Sequence, residues 1–186
     1  MKINHHQKEI CRLLNYQFKN KRLLEEALTH SSAGKSSKAN NERLEFLGDR
    51  VLGLIIAEEL LRLNPNSTEG QIATYYNYLV KKETCALIAK EIGLENLLTL
   101  GKSVKRTSNR QKDRILGNAV EALIAGIFLD SGFKTSKEIV LKVWRKQIDI
   151  VRDIEAHAKT ALQELLQSEA VSYTHLRAHE TVSNLV

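Results

Sequence analysis

The chain has 186 residues, of which 42% are hydrophobic and 5% aromatic, and it contains a single proline. This length suits one domain with a short appendage, and the composition favours helices over strands and turns. The net charge of +6 and the pI of about 9.3 suit a polyanionic partner. Cys11 and Cys85 form no disulfide framework, the amino terminus is too polar for a signal peptide, and no apolar run reaches the roughly 18 residues of a membrane span. We therefore expect a cytoplasmic protein with no membrane partner.

The first half of the chain has the apolar spacing of helices. Residues 7–16 and 20–30 predict two short amphipathic helices, and 31–41 predicts a polar loop. A long helix is predicted from about 42 to 63, and Pro65 places a turn after it.

The second half continues the helical pattern. Ser67 is the expected N-cap of a helix whose apolar side carries Ile72, Tyr76, Leu79, Val80 and Leu87. Residues 101–114 predict a strongly basic loop, and 115–132 a second apolar helix that ends at Gly132. The stretch TSKE, 135–138, fits a capping box that opens a helix through about 154. The pattern contains no convincing strand.

Two apolar helices each carry a pair of oxygen-bearing side chains. Glu45 and Asp49 are four residues apart and share a helix face, with Glu42 nearby. Asn118 and Glu121 are three apart on the second helix. Packed side by side, the two helices would offer the hard oxygen ligands that Mg²⁺ and Mn²⁺ prefer. Such acid pairs are also common on solvated helix faces, so the spacing alone leaves both interpretations open.

Glycines inside the same helices mark places where a neighbour comes close. A helix-interior glycine costs stability, which is reasonable where another helix or a ligand approaches. The glycines concerned are Gly48, Gly53, Gly117 and Gly126.

Several segments, in order, resemble the ribonuclease III family of double-stranded-RNA endonucleases. The strongest is NERLEFLGDRVLGL, which is similar to the family signature. LLEEALTHSS, TEGQIATYYNYLV, RILGNAVEALIAGIFLDSG and AHAKTALQELLQ resemble further family segments. The resemblance covers roughly residues 5–170 and implies the all-α, ribonuclease III-type helical endonuclease domain.

The resemblance also implies the site residues. Glu45, Asp49 and Glu121 match the family's catalytic acids, and Asp49 and Glu121 would be the most critical. Asn118 stands where the family has Asp, which implies weaker metal affinity and a higher Mg²⁺ requirement with activity retained. Supporting roles for the dimer interface or the RNA site fall on Glu42 and Glu69.

The implied reaction is hydrolysis of double-stranded RNA by metal-activated water, with Mg²⁺ as cofactor and Mn²⁺ possible. It would give 5′-phosphate and 3′-hydroxyl ends, on a symmetric homodimer, in the processing of RNA precursors such as ribosomal RNA. The basic segment offers candidates for phosphate contact, although a solvated loop explains it equally well. These candidates are Lys102, Lys105, Arg106, Arg110 and Lys112.

The domain prediction has three parts. Residues 1–154 form the endonuclease domain, and 155–170 form a linker and the first helix of a truncated double-stranded-RNA-binding domain. Residues 171–186, VSYTHLRAHETVSNLV, resemble a translated sequencing-library adapter, the alternative being a divergent helical tail.

Two other functions compete with the endonuclease. A catalytically weakened RNA-binding or ribosome-associated relative is favoured only by Asn118. A carboxylate-bridged di-iron bundle requires Glu-x-x-His pairs, but Gly48 and Ile124 stand where the histidines would be.

Overall fold

The computed structural model describes residues 5–33, 40–102, 104 and 107–183; the side chains of residues 5–7 and 155–183 are outside this description. Within these ranges the secondary structure is helical, with short 3₁₀ turns at Ser31–Ala33 and Leu94–Asn96 and one isolated bridge between Thr29 and Thr99. The α-helices are α1 (His5–Leu14), α2 (Lys21–Ala27), α3 (Glu42–Leu63), α4 (Glu69–Val80), α5 (Lys82–Glu91) and α6 (Asn109–Ser183). The prediction of an all-α fold is confirmed.

The chain divides into two compact units, residues 1–145 and 146–186. The second unit is described only as the helical backbone of α6 through Ser183 and a few side chains before residue 155. The predicted domain boundaries after residues 154 and 170 remain predictions. The side chains of the proposed linker and adapter segments, and all of 184–186, lie outside the described residues.

The core of the first unit forms where α2, α3 and α6 meet. A buried apolar cluster joins them, consisting of Ala27, Leu44, Ala122 and Ala125, with Leu23 and Leu47 packed against it. The indole of Trp144, which is fully buried, donates a hydrogen bond of 3.0 Å to the carbonyl of Leu79 and so ties α6 to α4. Segment Asn109–Ile154 of α6 is long and apolar enough to cross a membrane by length and composition. However, 67% of its most apolar stretch is buried inside the fold, as is usual for a core helix.

Helix α6 is interrupted at Gly132, whose φ of 80° and ψ of −177° are non-helical. A φ in this range strains any residue with a Cβ, which explains the glycine. The helix resumes directly after it, and the hydroxyl of Ser136 donates to the carbonyl of Gly132. The predicted start at TSKE is therefore wrong, because those residues already lie inside the helix.

Three local predictions between 64 and 114 are also corrected. The N-cap of α4 is Thr68, not Ser67, because Thr68 forms a capping box with Gln71. Lys81 is extended and separates α4 from α5, so Leu87 belongs to a different helix from Leu79. Residues 109–114 form the first turns of α6 and not a loop.

The connection between α1 and α2 is held by a carboxylate of α6. Asp130 accepts hydrogen bonds of 2.8 Å from the backbone N–H groups of Lys19 and Asn20 and one of 2.5 Å from the hydroxyl of Tyr16. These bonds lower the pKa of Asp130 although its partial burial works in the opposite direction. The network fixes the amino-terminal helices against the helix that carries Asn118 and Glu121.

Candidate active site

Helices α3 and α6 touch through their backbones at the point where the predicted acids lie. A Cβ placed on Gly48 would lie 1.7 Å from the carbonyl oxygen of Glu121, so only glycine permits this approach. Glu45 and Asp49 flank Gly48 on α3, and Asn118 precedes Glu121 by one turn on α6. The structure thus brings the two helices together as the sequence predicted. We call this contact the α3–α6 seam.

The cation at the seam is a lysine. The ammonium nitrogen of Lys82 lies 2.5 Å from Glu121 Oε2 and 3.4 Å from Glu45 Oε1. The Glu121 side chain is 1% exposed, whereas those of Glu45 and Lys82 are 26% and 41% exposed. Burying an ionised carboxylate requires a partner, and here Lys82, the first residue of α5, is that partner for both helices.

Two further oxygens at the seam are left without a partner. Among the residues that the structure describes, Asn118 Oδ1 and Glu121 Oε1 are buried and accept no hydrogen bond. Buried polar atoms are rarely left unsatisfied, and an exception suggests a missing ion or water. These two oxygens, with the neighbouring Glu45 carboxylate, form a donor set that suits Mg²⁺ or Mn²⁺. The residues present therefore fit a divalent cation.

The four predicted side chains are not fully gathered in this state. Asp49 is 49% exposed and pairs with Arg50 at 3.0 Å. Within the described ranges, no group of three or more His, Cys, Asp or Glu side chains is arranged to hold a metal ion. Asn118 is not a carboxylate and Asp49 faces Arg50, so Glu45 and Glu121 are the two acids that share a cation here.

The two supporting acids lie elsewhere. The backbone N–H of Glu42 donates to Asn40 Oδ1 at 3.1 Å, and the Glu42 carboxylate accepts from Asn40 Nδ2 at 3.4 Å. Glu69 is exposed in the first turn of α4, where its negative charge suits the helix dipole. Neither residue takes part in the contacts that join Glu45, Lys82 and Glu121.

The seam shifts the pKa of the groups inside it. Burial raises the pKa of Glu121 from 4.5 to about 7, the attraction of Lys82 opposes this, and the charges of Asp49 and Glu45 add to it. Burial would lower the pKa of Lys82, but hydrogen bonding and attraction from Glu121, then Glu45, outweigh it and raise that pKa. The pKa of Glu121 rises despite its ion pair with Lys82, so desolvation is the larger effect on this carboxylate. Lys82 stays charged throughout the neutral range.

A cleft of about 1000 Å³ opens beside the seam. Lys82 and Asn118 line it together with Arg110 and Arg114 from the first turns of α6. Asp113, also in its lining, is paired with Lys90 at 2.5 Å. Glu83 is the other acid in the lining, and the cleft meets the seam at Lys82 and Asn118.

Of the remaining predicted RNA-contact residues, the two that the structure describes are not among those that line the cleft. Lys102 and Lys112 are exposed and are not part of the cleft lining. Lys105 and Arg106 lie outside the described residues.

The near end of the basic segment is anchored to the start of α3. The backbone N–H of His30 donates to the carbonyl of Thr99 at 3.1 Å, and the N–H of Gly101 donates to Ser32 Oγ at 3.0 Å. Asn41, just before α3, donates its N–H to the carbonyl of Thr29 at 2.9 Å. Burial lowers the pKa of His30, which stays neutral and structural near pH 7.

An apolar groove of about 640 Å³ lies on another part of the first unit. Phe46, which is 65% exposed, lines it, and the Arg50 guanidinium carbon lies 3.9 Å from the centre of its ring. The other apolar lining residues are Leu23, Leu44, Leu47 and Leu129. An exposed aromatic side chain beside an apolar groove is typical of a protein–protein contact surface.

Sequence reasoning missed Lys82, the residue that joins the two carboxylates. Its partner on α6 is 39 residues away in sequence, so no local pattern reveals the pairing. The one available signal is its position, because a lysine at the first residue of a helix opposes the helix dipole and calls for another explanation.

Fold and site together define the class: an all-helical domain with carboxylates at an interhelical seam beside a cleft that carries Arg110 and Arg114. The family model described as ribonuclease-III-like matches residues 20–148. The proteins named Ribonuclease 3 from Dinoroseobacter shibae and Cereibacter sphaeroides are 45% and 44% identical over 171 and 158 residues. These matches cover 92% and 85% of this chain and 75% and 69% of the relatives.

Solved structures agree with the sequence relatives. The nuclease domain of ribonuclease III from Campylobacter jejuni superposes with a TM-score of 0.70 at 36% identity, covering 75% of this chain and 96% of that one. Dicer from Pichia stipitis, at 22% identity and a TM-score of 0.59 over 73% of this chain and 59% of its own, shares the fold. The chain belongs to the ribonuclease-III-like family.

Proposed function

We propose that this protein is an endoribonuclease that hydrolyses double-stranded RNA and depends on Mg²⁺, which Mn²⁺ could replace. The observation that carries the proposal is the α3–α6 seam. There the oxygens of Asn118 and Glu121, buried and without a partner in the described part of the chain, adjoin Glu45. The names of the relatives support the same activity. The cleft with Arg110 and Arg114 supplies positive charge beside that site, as a phosphate backbone requires.

The residues divide into ligands and phosphate contacts. Glu45, Asp49, Asn118 and Glu121 would hold the cation, with Asp49 and Glu121 the most critical. Such a cation supplies activation of water and neutralisation of charge on the phosphoryl oxygens. Because Glu121 lies at the backbone contact between α3 and α6, its carboxylate would stay in place, whereas Asp49 would turn away from Arg50 to reach the site. Arg110, with Lys102 and Lys112 farther out, would hold the RNA backbone.

The proposed reaction breaks one bond in each strand. The oxygen of water bonds to phosphorus, the bond from phosphorus to the 3′ oxygen breaks, and that oxygen takes up a proton. The products are a 5′-phosphate and a 3′-hydroxyl. Processing of RNA precursors, including ribosomal RNA, is the proposed setting. Both cysteines are buried and free, which suits the proposed cytoplasmic location.

A homodimer is part of the proposal. Exposed Phe46 and the apolar groove beside it would be buried between two copies. The solved Campylobacter jejuni nuclease domain has a region involved in dimer formation. Two sites related by a two-fold axis would suit the two antiparallel strands of a duplex.

The test is cleavage of a long RNA duplex in the presence of Mg²⁺. Glu121→Gln, which keeps the shape of the side chain, is expected to slow cleavage at least about 100-fold because a cation ligand is lost. Glu58→Gln is the matched control, since Glu58 is a half-exposed glutamate of α3 paired with Lys137, and we expect it to cleave like the wild type. Wild-type products should carry 5′-phosphates.

Asn118 is the one observation that favours a second function. It removes a negative charge from the site, as expected for a catalytically weakened RNA-binding or ribosome-associated relative. A wild-type protein that binds the duplex without cutting it at any Mg²⁺ or Mn²⁺ concentration would support this alternative and overturn the endonuclease.

A further inference from the structure

Lys82 occupies the place between α3 and α6 that the proposed function gives to a divalent cation. Its ammonium group bridges Glu45 on α3 and Glu121 on α6 at 3.4 Å and 2.5 Å. Only one oxygen of the Glu121 carboxylate is used, and the other remains buried without a partner among the described residues. The site is therefore half satisfied by the lysine.

The residues around Lys82 accommodate its side chain at the seam. As the first residue of α5, its charge opposes the helix dipole, so the helix start alone would disfavour a lysine. Helix α6 makes room for it at Gly117, where a Cβ would lie 3.0 Å from the Lys82 carbonyl oxygen and 3.4 Å from its Cδ. A specific partner offsets the unfavourable position, and the glycine lets the lysine stem pass close to α6.

The ionised seam requires a cation. When Glu121 is ionised, Glu45, Asp49 and Glu121 carry three negative charges, and Asn118 carries none. Arg50 neutralises Asp49 at the surface, at 3.0 Å, which leaves Glu45 and Glu121 to Lys82. An ammonium nitrogen 2.5 Å from Glu121 Oε2 and 3.4 Å from Glu45 Oε1 repels a divalent cation that binds the same two carboxylates.

We infer that Lys82 is a tethered counter-cation that competes with the divalent metal ion for Glu45 and Glu121. This inference rests on the proposed metal site. Lys82 is a positioning residue: it holds the two carboxylates together before the metal binds, and it must leave them when the metal arrives. A competitor that is always present lowers the apparent metal affinity, so removing it should raise that affinity.

The test uses the full chain and MnCl₂ as the probe. Isothermal titration calorimetry at about pH 8.5, where carboxylates are ionised, gives the Mn²⁺ affinity of the wild type and of Lys82→Met, which keeps the apolar stem and removes the charge. We expect Lys82→Met to bind Mn²⁺ about tenfold more tightly. In EDTA we expect its melting temperature to fall, because Glu121 loses its cation, and Mn²⁺ should raise that temperature more than in the wild type.

Two matched variants separate charge from general disturbance. Lys81→Met removes the neighbouring lysine, whose ammonium lies 4.9 Å from the centre of the Tyr78 ring and not at the seam, and should bind Mn²⁺ like the wild type. Lys82→Arg keeps the positive charge and should bind Mn²⁺ no more tightly than the wild type. Lys82→Arg also tests the inference if Lys82→Met does not fold in EDTA, because tighter Mn²⁺ binding by Lys82→Arg would overturn it.

The outcomes distinguish the inference from the proposed function. Wild-type protein that binds Mn²⁺, with Lys82→Met binding it equally or more weakly, would overturn the competition and leave the metal site intact. If neither protein binds Mn²⁺, the proposed metal site fails and the competition fails with it. Tighter binding by Lys82→Met together with unchanged binding by Lys81→Met would establish the inference.

Discussion

Glu121 is the residue on which the electrostatics of the site depend. Its side chain is almost completely buried, and burial raises its pKa to about 7 even though Lys82 donates to it. A pKa raised above the ordinary 4.5 means that the folded protein holds this proton more tightly than the unfolded chain. The resulting stabilisation is complete below the unfolded pKa and is lost as the pH rises through about 7.

This linkage gives a prediction for the metal-free protein. Between about pH 5 and about pH 8 we expect the free energy of unfolding of the wild type to fall by about 2 to 3 kcal/mol more than that of Glu121→Gln, which has no proton to lose. Urea denaturation in EDTA at both pH values measures the two differences. Equal falls for both proteins would show that Glu121 does not titrate in this range.

Asn118 is the second residue with a prediction of its own. Its Oδ1 is buried and unpartnered in the described part of the chain, and an aspartate there would add a negative charge to the metal site. We expect Asn118→Asp to lower the Mg²⁺ concentration needed for half-maximal cleavage at least about threefold, because a carboxylate binds Mg²⁺ better than an amide. Asn96→Asp, at an exposed position, is the control, and an unchanged Mg²⁺ dependence in Asn118→Asp contradicts the prediction.

At the scale of elements, the backbone contact at the α3–α6 seam holds the two acid-bearing helices together. A methyl group at Gly48 would collide with the Glu121 carbonyl at 1.7 Å, and neither backbone can yield as a side chain can. We expect Gly48→Ala to lose at least about 3 kcal/mol of stability by overpacking. Urea denaturation measures this loss.

Gly70 provides the control for this substitution. It is exposed in the first turn of α4, and a Cβ there meets nothing within 4 Å. Gly70→Ala should gain about 0.5 kcal/mol, because alanine has the higher helix propensity. If Gly48→Ala were as stable as Gly70→Ala, the close approach of α3 and α6 would be refuted.

The sequence revealed most elements because apolar spacing is a local signal. It placed α3 at 42–63, as observed, and its helix-interior glycines do mark close contacts, such as Gly53 beside the hydroxyl of Tyr76. It failed where neighbouring signals compete. Ser67 and Thr68 are both capable caps, and only the capping box with Gln71 decides between them.

The predicted end of the apolar helix at Gly132 is confirmed, and the second failure concerned where the helix resumes after it. The TSKE stretch has the letters of a capping box, but the turn is made earlier, by the positive φ of Gly132. For the candidate site, the sequence predicted the pairs that share one helix face, Glu45 with Asp49 and Asn118 with Glu121. Lys82 was not, because its pairing with Glu45 and Glu121 depends on how three helices pack.

At the scale of the whole molecule, the exposed ring of Phe46 is the feature that points to a second copy. We expect Phe46→Ala to weaken self-association at least about 30-fold, the effect of losing a buried aromatic side chain at the centre of an interface. Sedimentation equilibrium over a range of concentrations measures the dissociation constant. Leu87→Ala, which removes an apolar side chain 42% exposed on α5, should associate like the wild type; a wild-type protein that stays monomeric contradicts the proposed dimer.

The ammonium group of Lys82 travels with the polypeptide, so a newly synthesised chain brings its own neutralising charge to the acidic pocket before any dissolved ion arrives. Some metalloproteins fold only when their ion binds. Because Lys82 supplies the neutralising charge from within the chain, we expect this one to fold in the presence of a chelator. The supply of divalent ions would then govern when the protein works and not whether it folds.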